Sequence, residues 1–314
     1  MSDRPTWSEF AFIEELLAPL SAPAALNLKD DAACVAVPNG HDVVISADAL
    51  VDGVHVPVNA DGGLLARRAM ACNISDLAAK GAQPYGFTLS LGLAPHCDRP
   101  WLQAFADALR DGMARFDIAL WGGDTVSAPH SFVALTVHGL VPHGTMIKRS
   151  GAQIGDDVYV TGTIGDGWLG LQHMSAAYTD PRPPLAFGKG LRGLASAALD
   201  VSDGLLADLD HLCAASHCAM QLKATDIPLS EEGQAHIAQG GALQDLLTGG
   251  DDLQIAFTAV PEKADALQAL AQQTGTLLHR IGQVTASSSA GYQAVLLDAD
   301  GQTITFYQRG FRHF

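Results

Sequence analysis

The sequence predicts an α/β protein with mixed sheets, divided into two domains. The chain has 314 residues, which is too long for one small hydrophobic core and suits two domains of common size. Segments with strand periodicity and segments with helix periodicity occur in both halves, which favours two α/β sandwich domains. The stretch GTMIKRSGAQIGDD is rich in glycine and polar residues and indicates a boundary near residue 150. We therefore expect one domain at residues 1–148 and a second at residues 149–314.

The first half predicts an initial helix followed by six further elements. WSEFAFIEELLAPL has helical spacing of its apolar residues and ends near a proline. The following segments predict, in order, strand, helix, strand, helix, strand and strand: HDVVISADAL, LLARRAMACNISDLAAKGA, FTLSLGLAP, WLQAFADALRDGMARF, IALWGGD and SFVALTVHGLVP. The second helix is closed by Gly81, the usual C-terminal stop.

The second half mixes both kinds of element again. DVYVTGTIG predicts a strand, DGWLGLQHM a helix, and SAALDVSDGLLADLDHLCAAS a strand, a loop and a helix. The remaining segments predict strand, strand, helix and strand: CAMQLKATDIPL, DDLQIAFTAV, EKADALQALAQQ and LLHRIGQV. The last part, YQAVLLDADGQTITFY, predicts a hairpin that turns at Asp300 and Gly301.

Composition restricts the classes of partner. The formal net charge is −16, so electrostatics oppose non-specific binding to nucleic acid and to anionic membranes. Phosphate ligands remain compatible with this charge if divalent cations mediate. The five cysteines are odd in number and lack a CxxC pair, so we expect reduced, mostly buried thiols. No secretory signal and no membrane-spanning apolar run is apparent, and we expect a cytoplasmic protein.

Acidic residues recur where apolar runs end. The candidates are Asp30, Asp31, Asp48, Asp76, Asp124, Asp200 and Asp203. Asp76 differs from the others because it lies in a predicted helix, where Asn73, Asp76 and Lys80 share one face. Carboxylates repel one another, so a cleft that gathers several of them favours a cation, and Mg²⁺ prefers oxygen ligands. Any single Asp also suits a turn or a helix cap, and the pattern alone leaves both interpretations open.

Two glycine-rich segments and two side chains are further candidates for phosphate contacts. GGDT offers bare amides after a strand, and GDGWLGL offers amides at a helix N-terminus, although the second favours a structural role. Arg149 suits a phosphate clamp or an ordinary surface position. His55 suits a substrate contact or a structural histidine. The P-loop and protein-kinase signatures do not occur.

Taken in order, these motifs resemble the thiamine-monophosphate kinases. The family belongs to a superfamily with aminoimidazole ribonucleotide synthetase, selenophosphate synthetase and a hydrogenase-maturation protein. The matching segments run through nearly the whole chain: DDAA, SADALVDGVH, NISDLAAKGAQP, GGDT, RSGAQIGDDVYVTGTIG, LDVSDGLLADL, GGDDLQI and GFRHF. The resemblance implies a two-domain, synthetase-like fold whose N-terminal sheet pairs across a homodimer, with ATP held between the domains.

The resemblance also implies the chemistry and the residues that perform it. The γ-phosphate of ATP passes directly to thiamine monophosphate, giving thiamine diphosphate and ADP, with several Mg²⁺ ions and no covalent nucleophile. The implied metal ligands are Asp30, Ser46, Asp48, Asp76, Asp124, Asp200 and Asp203. The implied ATP contacts are Gly123, Asp124, Arg149 and Ser202, and the implied acceptor contacts are His55, Asp251 and Gln308.

The chain departs from the family pattern mainly on the acceptor side. Lys29 replaces a glycine, and Ala47 stands where a hydroxyl is usual. Asp251 replaces a glutamate, and Leu253, Gln254 and Gln308 stand where the family has a phenol, a carboxylate and an aromatic ring. These departures leave two alternatives: a superfamily kinase or synthetase with a different phosphorylated or carboxylated acceptor, and a nucleotide-binding assembly protein without turnover.

Overall fold

The computed structural model describes residues 8–287 and 291–311. The chain forms two compact units: unit 1 comprises Met1–Leu77 and Gln83–His143, and unit 2 comprises Ala78–Ala82 and Gly144–Phe314. Each unit has its own mixed sheet, so the predicted α/β class is confirmed. None of the described helices is both long enough and apolar enough to cross a membrane.

Unit 1 contains a four-stranded sheet in the order β1-β4-β2-β3. The elements up to residue 143 are α1 (Glu9–Phe12), β1 (His41–Val51), α2 (Gly62–Ala79), β2 (Gln83–Leu93), α3 (Arg99–Phe116), β3 (Ala119–Ser127) and β4 (Phe132–Pro142). The β1–β4 and β4–β2 pairs are antiparallel and the β2–β3 pair is parallel. In the part of the chain that the structure describes, β1 and β3 each pair with a single strand of this sheet, so both lie at its edges, and Leu120 of β3 also forms an isolated bridge to Ser21.

The two faces of this sheet differ. Val133, Leu135 and Val137 of β4 are fully buried on one face. Ser46 of β1 belongs to the same face and contacts α2. On the opposite face of β1, the side chains of Val43 and Ile45 are 38% and 62% exposed. The sheet thus has one face packed on helices and one partly open apolar face.

The N-terminal segment is not the single helix that its periodicity predicts. After α1 the chain forms a π-helical turn at Ile13–Leu17 and 3₁₀ turns at Ala18–Leu20 and Pro23–Leu28. Proline removes a backbone donor and resists an α-helix interior, which accounts for the breaks at both prolines. Leu26, Asn27 and Leu28 then have left-handed backbone angles and lead into the acidic DDAA segment. Trp7 of the predicted helix, and residues 312–314 of the GFRHF motif, lie outside the described residues.

Unit 2 contains a seven-stranded mixed sheet in the order β11-β10-β7-β9-β5-β8-β6. Its strands are β5 (Asp157–Thr161), β6 (Ala197–Val201), β7 (Ala219–Lys223), β8 (Gln254–Ala259), β9 (Leu278–Thr285), β10 (Ala294–Leu297) and β11 (Thr303–Ile304). Its helices are α4 (Asp166–His173), α5 (Ala176–Thr179), α6 (Leu185–Gly190), α7 (Leu205–Ser216), α8 (Glu231–Ala238), α9 (Leu243–Thr248) and α10 (Ala264–Thr274). Short 3₁₀ turns occur at Ala224–Asp226 and Pro261–Lys263. Strands β10 and β11 form the predicted terminal hairpin.

Helices cover both faces of this sheet. Helix α7 packs on one face, where Leu209 and Leu212 join the apolar core. Helices α6 and α10 pack on the other face through Phe187 and Leu267. Every residue of β5 and β6 is buried, as expected for strands covered on both sides. Because both strands are covered along their length, unit 2 can present functional groups at the polar ends of these strands.

Three candidate aspartates lie inside strands rather than after them. Asp48 lies within β1, where it pairs with Leu135 of β4. Asp124 lies within β3, and Asp200 lies within β6. The apolar runs end near these residues, but the strands include them, because a carboxylate side chain does not interrupt backbone pairing.

The cysteines are all free in the described residues. Cys213 and Cys218 are buried, Cys72 and Cys97 are half-buried, and Cys34 is exposed. Free thiols agree with the expected reduced state. The expected burial holds for Cys213 and Cys218 only.

Candidate active site

A first group of predicted ligands meets between β1 and α2. The Ser46 hydroxyl donates a hydrogen bond of 2.5 Å to Oδ2 of Asp76. The backbone N–H of Asp48 donates to Oδ1 of Asn73 at 3.1 Å, and the amide of Asn73 donates to the Ala69 carbonyl. Ser46 and Asp48 share one face of β1 because side chains alternate along a strand. The structure therefore brings three of the predicted metal ligands, Ser46, Asp48 and Asp76, to one place.

Two other expectations concern this region. Lys80 is the first residue after α2, and its ammonium donates to the Ala198 carbonyl at 2.8 Å. Ala47 is exposed and points to the opposite face of β1 from Ser46. The missing hydroxyl at Ala47 therefore removes no side-chain donor from the Ser46–Asp76 pair.

A second group lines a cavity of about 400 Å³ within unit 1. Its polar lining combines Asp30 and Asp31 with residues 122–125, the GGDT segment. Its other walls include the rings of Trp121 and His138, whose centroids are 5.1 Å apart, and aliphatic side chains of the N-terminal segment. Oδ1 of Asp30 accepts from the Asp31 N–H at 2.8 Å, and Oδ1 of Asp124 accepts from the Thr125 N–H at 3.0 Å. The cavity is therefore lined by both apolar side chains and carboxylates.

His55 lies in the turn after β1. Its Nδ1 accepts a hydrogen bond of 3.0 Å from the Val51 N–H, so the ring proton belongs to Nε2 in the neutral form. The turn also needs Gly53, whose φ of +78° favours glycine. The local fold thus fixes the ring of His55 and defines which nitrogen can donate.

In unit 2, three predicted segments converge on the turn between β6 and α7, which we call the β6–α7 turn (residues 201–204). The N–H of Asp251 donates to the Ser202 carbonyl at 2.8 Å. The N–H of Phe311 donates to the Asp203 carbonyl at 2.8 Å. Gln308 belongs to the same C-terminal segment, and its amide donates to the Gly310 carbonyl at 2.7 Å. Predicted metal, nucleotide and acceptor residues are therefore neighbours here.

The β6–α7 turn is organised by Asp208, a residue that sequence analysis missed. Its Oδ2 accepts from the N–H groups of Ser202, Asp203 and Gly204 at 3.0 to 3.2 Å. Burial, and then the nearby carboxylates of Asp200 and Asp203, raise the pKa of Asp208 to about 8. An acidic residue in the first turn of a predicted helix is the sequence signal that could have identified it.

The structure places Arg149 and the backbone amides of GDGWLGL in other contacts than those of the β6–α7 turn. Arg149 is exposed, and its carbonyl accepts from the Ser216 hydroxyl at 3.2 Å. The N–H groups of Gly165 and Gly167 both donate to the carboxylate of Asp252 at 3.0 Å. The start of α4 therefore has a structural role, as the sequence favoured.

The departures from the family pattern have structural explanations in two cases. Leu253 is 1% exposed and belongs to the interior of unit 2. Oε1 of Gln254 accepts from the Thr161 hydroxyl at 2.8 Å. Tyr307, by contrast, is fully exposed beside Gln308. The Leu253 departure therefore concerns packing inside unit 2, and the half-buried Gln254 accepts a hydrogen bond from Thr161.

The donor atoms fit Mg²⁺ that arrives with a nucleotide. In the described residues, no group of three or more His, Cys, Asp or Glu side chains is arranged to hold a metal ion. Mg²⁺ usually keeps several waters and binds through one or two carboxylates together with substrate phosphates, so a complete protein cage is not required. The Ser46–Asp76 pair provides hard oxygen atoms. The carboxylates of Asp200 and Asp203 lie close enough to Asp208 to raise its pKa, and a cation would relieve this repulsion.

Known proteins with related sequences decide the family. Residues 29–141 match the family model of the AIR synthase related protein N-terminal domain, and residues 184–294 match that of the C-terminal domain. The chain is 38% identical over 303 residues to the thiamine-monophosphate kinase of Salmonella typhimurium, covering 92% of this chain and 91% of that protein. The chain belongs to the thiamine-monophosphate kinase family.

Solved structures agree with this assignment. The crystal structure of the thiamine-monophosphate kinase from Stenotrophomonas maltophilia K279a is 34% identical, covers 95% of this chain and 98% of its own, and has a TM-score of 0.82. AaThiL complexed with AMPPCP and TMP is 24% identical, covers 98% and 97%, and shares the fold with a TM-score of 0.76. The predictions of the family, of the two-domain fold and of an enzyme of the kinase class are thereby confirmed.

Proposed function

We propose that this protein phosphorylates thiamine monophosphate to thiamine diphosphate with ATP as co-substrate. The observation that carries the proposal is the convergence on the β6–α7 turn, where Asp251 bonds to Ser202 and Phe311 bonds to Asp203. Family membership supplies the identity of the reaction, and AaThiL, a protein of the same fold, has a solved structure in complex with AMPPCP and TMP.

The proposed step is a direct in-line displacement. A terminal oxygen of thiamine monophosphate attacks the γ-phosphorus of ATP while the bond to the β,γ-bridging oxygen breaks, and the electron pair leaves with ADP. The acceptor phosphate is already largely ionised, so neither a covalent nucleophile nor a strong general base is needed. The contribution of the protein is to align the two substrates and to stabilise charge.

Seven residues are proposed to hold several Mg²⁺ ions: Asp30, Ser46, Asp48, Asp76, Asp124, Asp200 and Asp203. When bound, these ions neutralise the phosphate oxygens on which negative charge accumulates. Three further residues with Asp124 are proposed to contact ATP: Gly123, Arg149 and Ser202. The cavity beside Gly123 supports this role, because its apolar walls suit a base and its acidic end suits cation-bound phosphates.

The acceptor is proposed to contact His55, Asp251 and Gln308. His55 can donate from Nε2 because its Nδ1 is occupied by the Val51 N–H. Asp251 is held in a left-handed conformation with φ of +66°, which few non-glycine residues adopt.

The proposal includes the domain roles and a homodimer. Residues 1–148 would form the ATP- and metal-binding domain that also pairs subunits, and residues 149–314 the second domain. The exposed side chains of Val43 and Ile45 support pairing through the open face of the unit 1 sheet. Ile45→Lys should convert a dimer to a monomer in sedimentation velocity, and a wild-type protein that sediments as a monomer would contradict this part.

The catalytic proposal is tested with purified protein, ATP, Mg²⁺ and thiamine monophosphate. Chromatography should show thiamine diphosphate and ADP in equal amounts. ADP formed only with another phosphorylated or carboxylated acceptor would replace the proposal by the first alternative, and ATP binding without any product would favour the nucleotide-binding assembly protein.

A further inference from the structure

The carboxylate of Asp252 links two segments of unit 2 that are distant in sequence. It belongs to the loop of residues 249–253, which we call the acceptor loop because it carries Asp251. Both oxygens of Asp252 lie 3.0 Å from the N–H of Gly165, and Oδ1 also lies 3.0 Å from the N–H of Gly167. These N–H groups belong to the start of α4 and have no partner within the helix itself. Asp252 therefore ties the acceptor loop to the first turn of α4.

Close packing makes this connection rigid. A Cβ atom at Gly167 would lie 2.3 Å from the carbonyl carbon and oxygen of Asp251. A Cβ atom at Gly249 would lie 2.5 Å from Cβ of Trp168. The backbone of the acceptor loop thus rests directly on the first turn of α4, where only glycine leaves sufficient space.

The other side of the acceptor loop faces the β6–α7 turn. The N–H groups of Asp251 and Leu253 donate to the carbonyls of Ser202 and Val201, each at 2.8 Å. Asp251 and Leu253 both have positive φ angles, +66° and +51°, a conformation that costs free energy and persists only where surrounding contacts enforce it. The loop is therefore held on both sides in a strained shape.

We infer that Asp252 is a positioning residue: its carboxylate clamps the acceptor loop onto α4 and thereby fixes where Asp251 meets the acceptor. The inference rests on the proposed function in one respect, that Asp251 contacts the acceptor. The proposed nucleotide contact Ser202 is held by a different residue. Asp208 accepts from the N–H groups of Ser202 and Asp203, and Asp252 takes no part in these hydrogen bonds.

The variant Asp252→Asn tests this role. An amide has one accepting oxygen, and its NH₂ group cannot accept from the glycine N–H donors, so the clamp loses part of its bonding. We expect kcat/KM for thiamine monophosphate to fall at least about tenfold, while KM for ATP stays within about twofold.

Asp156→Asn is the matched control. Asp156 is 2% exposed, and its Oδ2 accepts from the Gln153 N–H and the Ser196 hydroxyl, so it is also a buried capping carboxylate. It precedes β5, whereas Thr161 at the far end of β5 contacts Gln254 beside the acceptor loop. The control should lose thermal stability without a selective change for the acceptor. Equal effects of the two substitutions on kcat/KM would overturn the inference.

Hydrogen exchange gives a measurement that does not depend on turnover. In Asp252→Asn the amides of residues 251 and 253 should exchange at least about tenfold faster than in wild type, and in Asp156→Asn they should not. If the wild-type protein makes no thiamine diphosphate, the proposed function fails while this exchange result still decides the clamp. If Asp252→Asn does not fold, Gly167→Ala, which pushes on the Asp251 backbone with Asp252 intact, should produce the same faster exchange. Unchanged exchange in the folded variant would refute the clamp.

Discussion

Replacing Gly123 by alanine tests how the nucleotide segment is built into the unit 1 sheet. Gly123 of β3 pairs with Leu89 of β2. A Cβ atom at Gly123 would lie 1.9 Å from the Leu89 carbonyl oxygen and 2.8 Å from its carbonyl carbon. Contacts below 3.0 Å are essentially never seen for real Cβ atoms, so β3 must move by at least 3.0 − 1.9 = 1.1 Å. Both atoms that clash belong to backbone, and neither can rotate away.

Gly122→Ala is the matched control for this substitution. Gly122 has φ of +153° and Gly123 has φ of +159°, so both variants introduce a comparable backbone strain. A Cβ atom at Gly122 meets nothing within 4 Å. The difference between the variants therefore isolates the clash.

Forced overpacking of this kind lowers the free energy of unfolding by about 2 kcal/mol. For a protein unit of this size that corresponds to a melting temperature about 4–8 °C lower for Gly123→Ala than for Gly122→Ala. Thermal unfolding, monitored by circular dichroism, measures the melting temperatures of both variants. Equal melting temperatures would refute the close approach of β3 to β2, and with it the description of this edge of the cavity.

Three further predictions concern the remaining site residues. Asp48→Asn and Asp124→Asn should each lower turnover by orders of magnitude with the fold retained, since each removes a proposed ligand charge; near wild-type rates in either would refute the metal assignment. His55→Ala should mainly raise KM for the acceptor, and an unchanged KM would leave the histidine with its structural role alone. Burial raises the pKa of Asp252 to about 7, against 3.8 in the unfolded chain, so its contribution favours folding below pH 4 and is lost as the pH rises through 7. Relative to Asp252→Asn, wild type should therefore lose unfolding free energy over that interval, measured by chemical denaturation at each pH, and parallel stability curves would contradict the shift.

Most secondary structure could be predicted because it depends on local periodicity. The alternating residues of β4 and the helical spacing of α3 identify their elements, and the Asp300–Gly301 pair identifies the terminal turn. Helices α8 and α9 were not predicted. Both are short, and the sequence of α8 is also too polar to show a clear apolar stripe.

The candidate site was predictable to the extent that its residues recur in motifs. Ser46 and Asp76 could be named from the sequence, but their direct hydrogen bond depends on how α2 packs on β1. Asp252 was missed because its carboxylate accepts from the N–H groups of Gly165 and Gly167, which are distant in sequence, and backbone partners leave no pattern in the side chains. Asp208 has local backbone partners, and its place in the first turn of α7 was the signal that could have identified it. Both carboxylates are buried in the structure.

The most direct test of the central proposal follows the transferred phosphorus. ATP labelled at the γ-phosphate is incubated with the protein, Mg²⁺ and thiamine monophosphate, and the products are separated by chromatography. Direct transfer predicts that all transferred label appears in the terminal phosphate of thiamine diphosphate, with one ADP formed for each labelled product. Label released as inorganic phosphate, or thiamine diphosphate without label, would contradict the account.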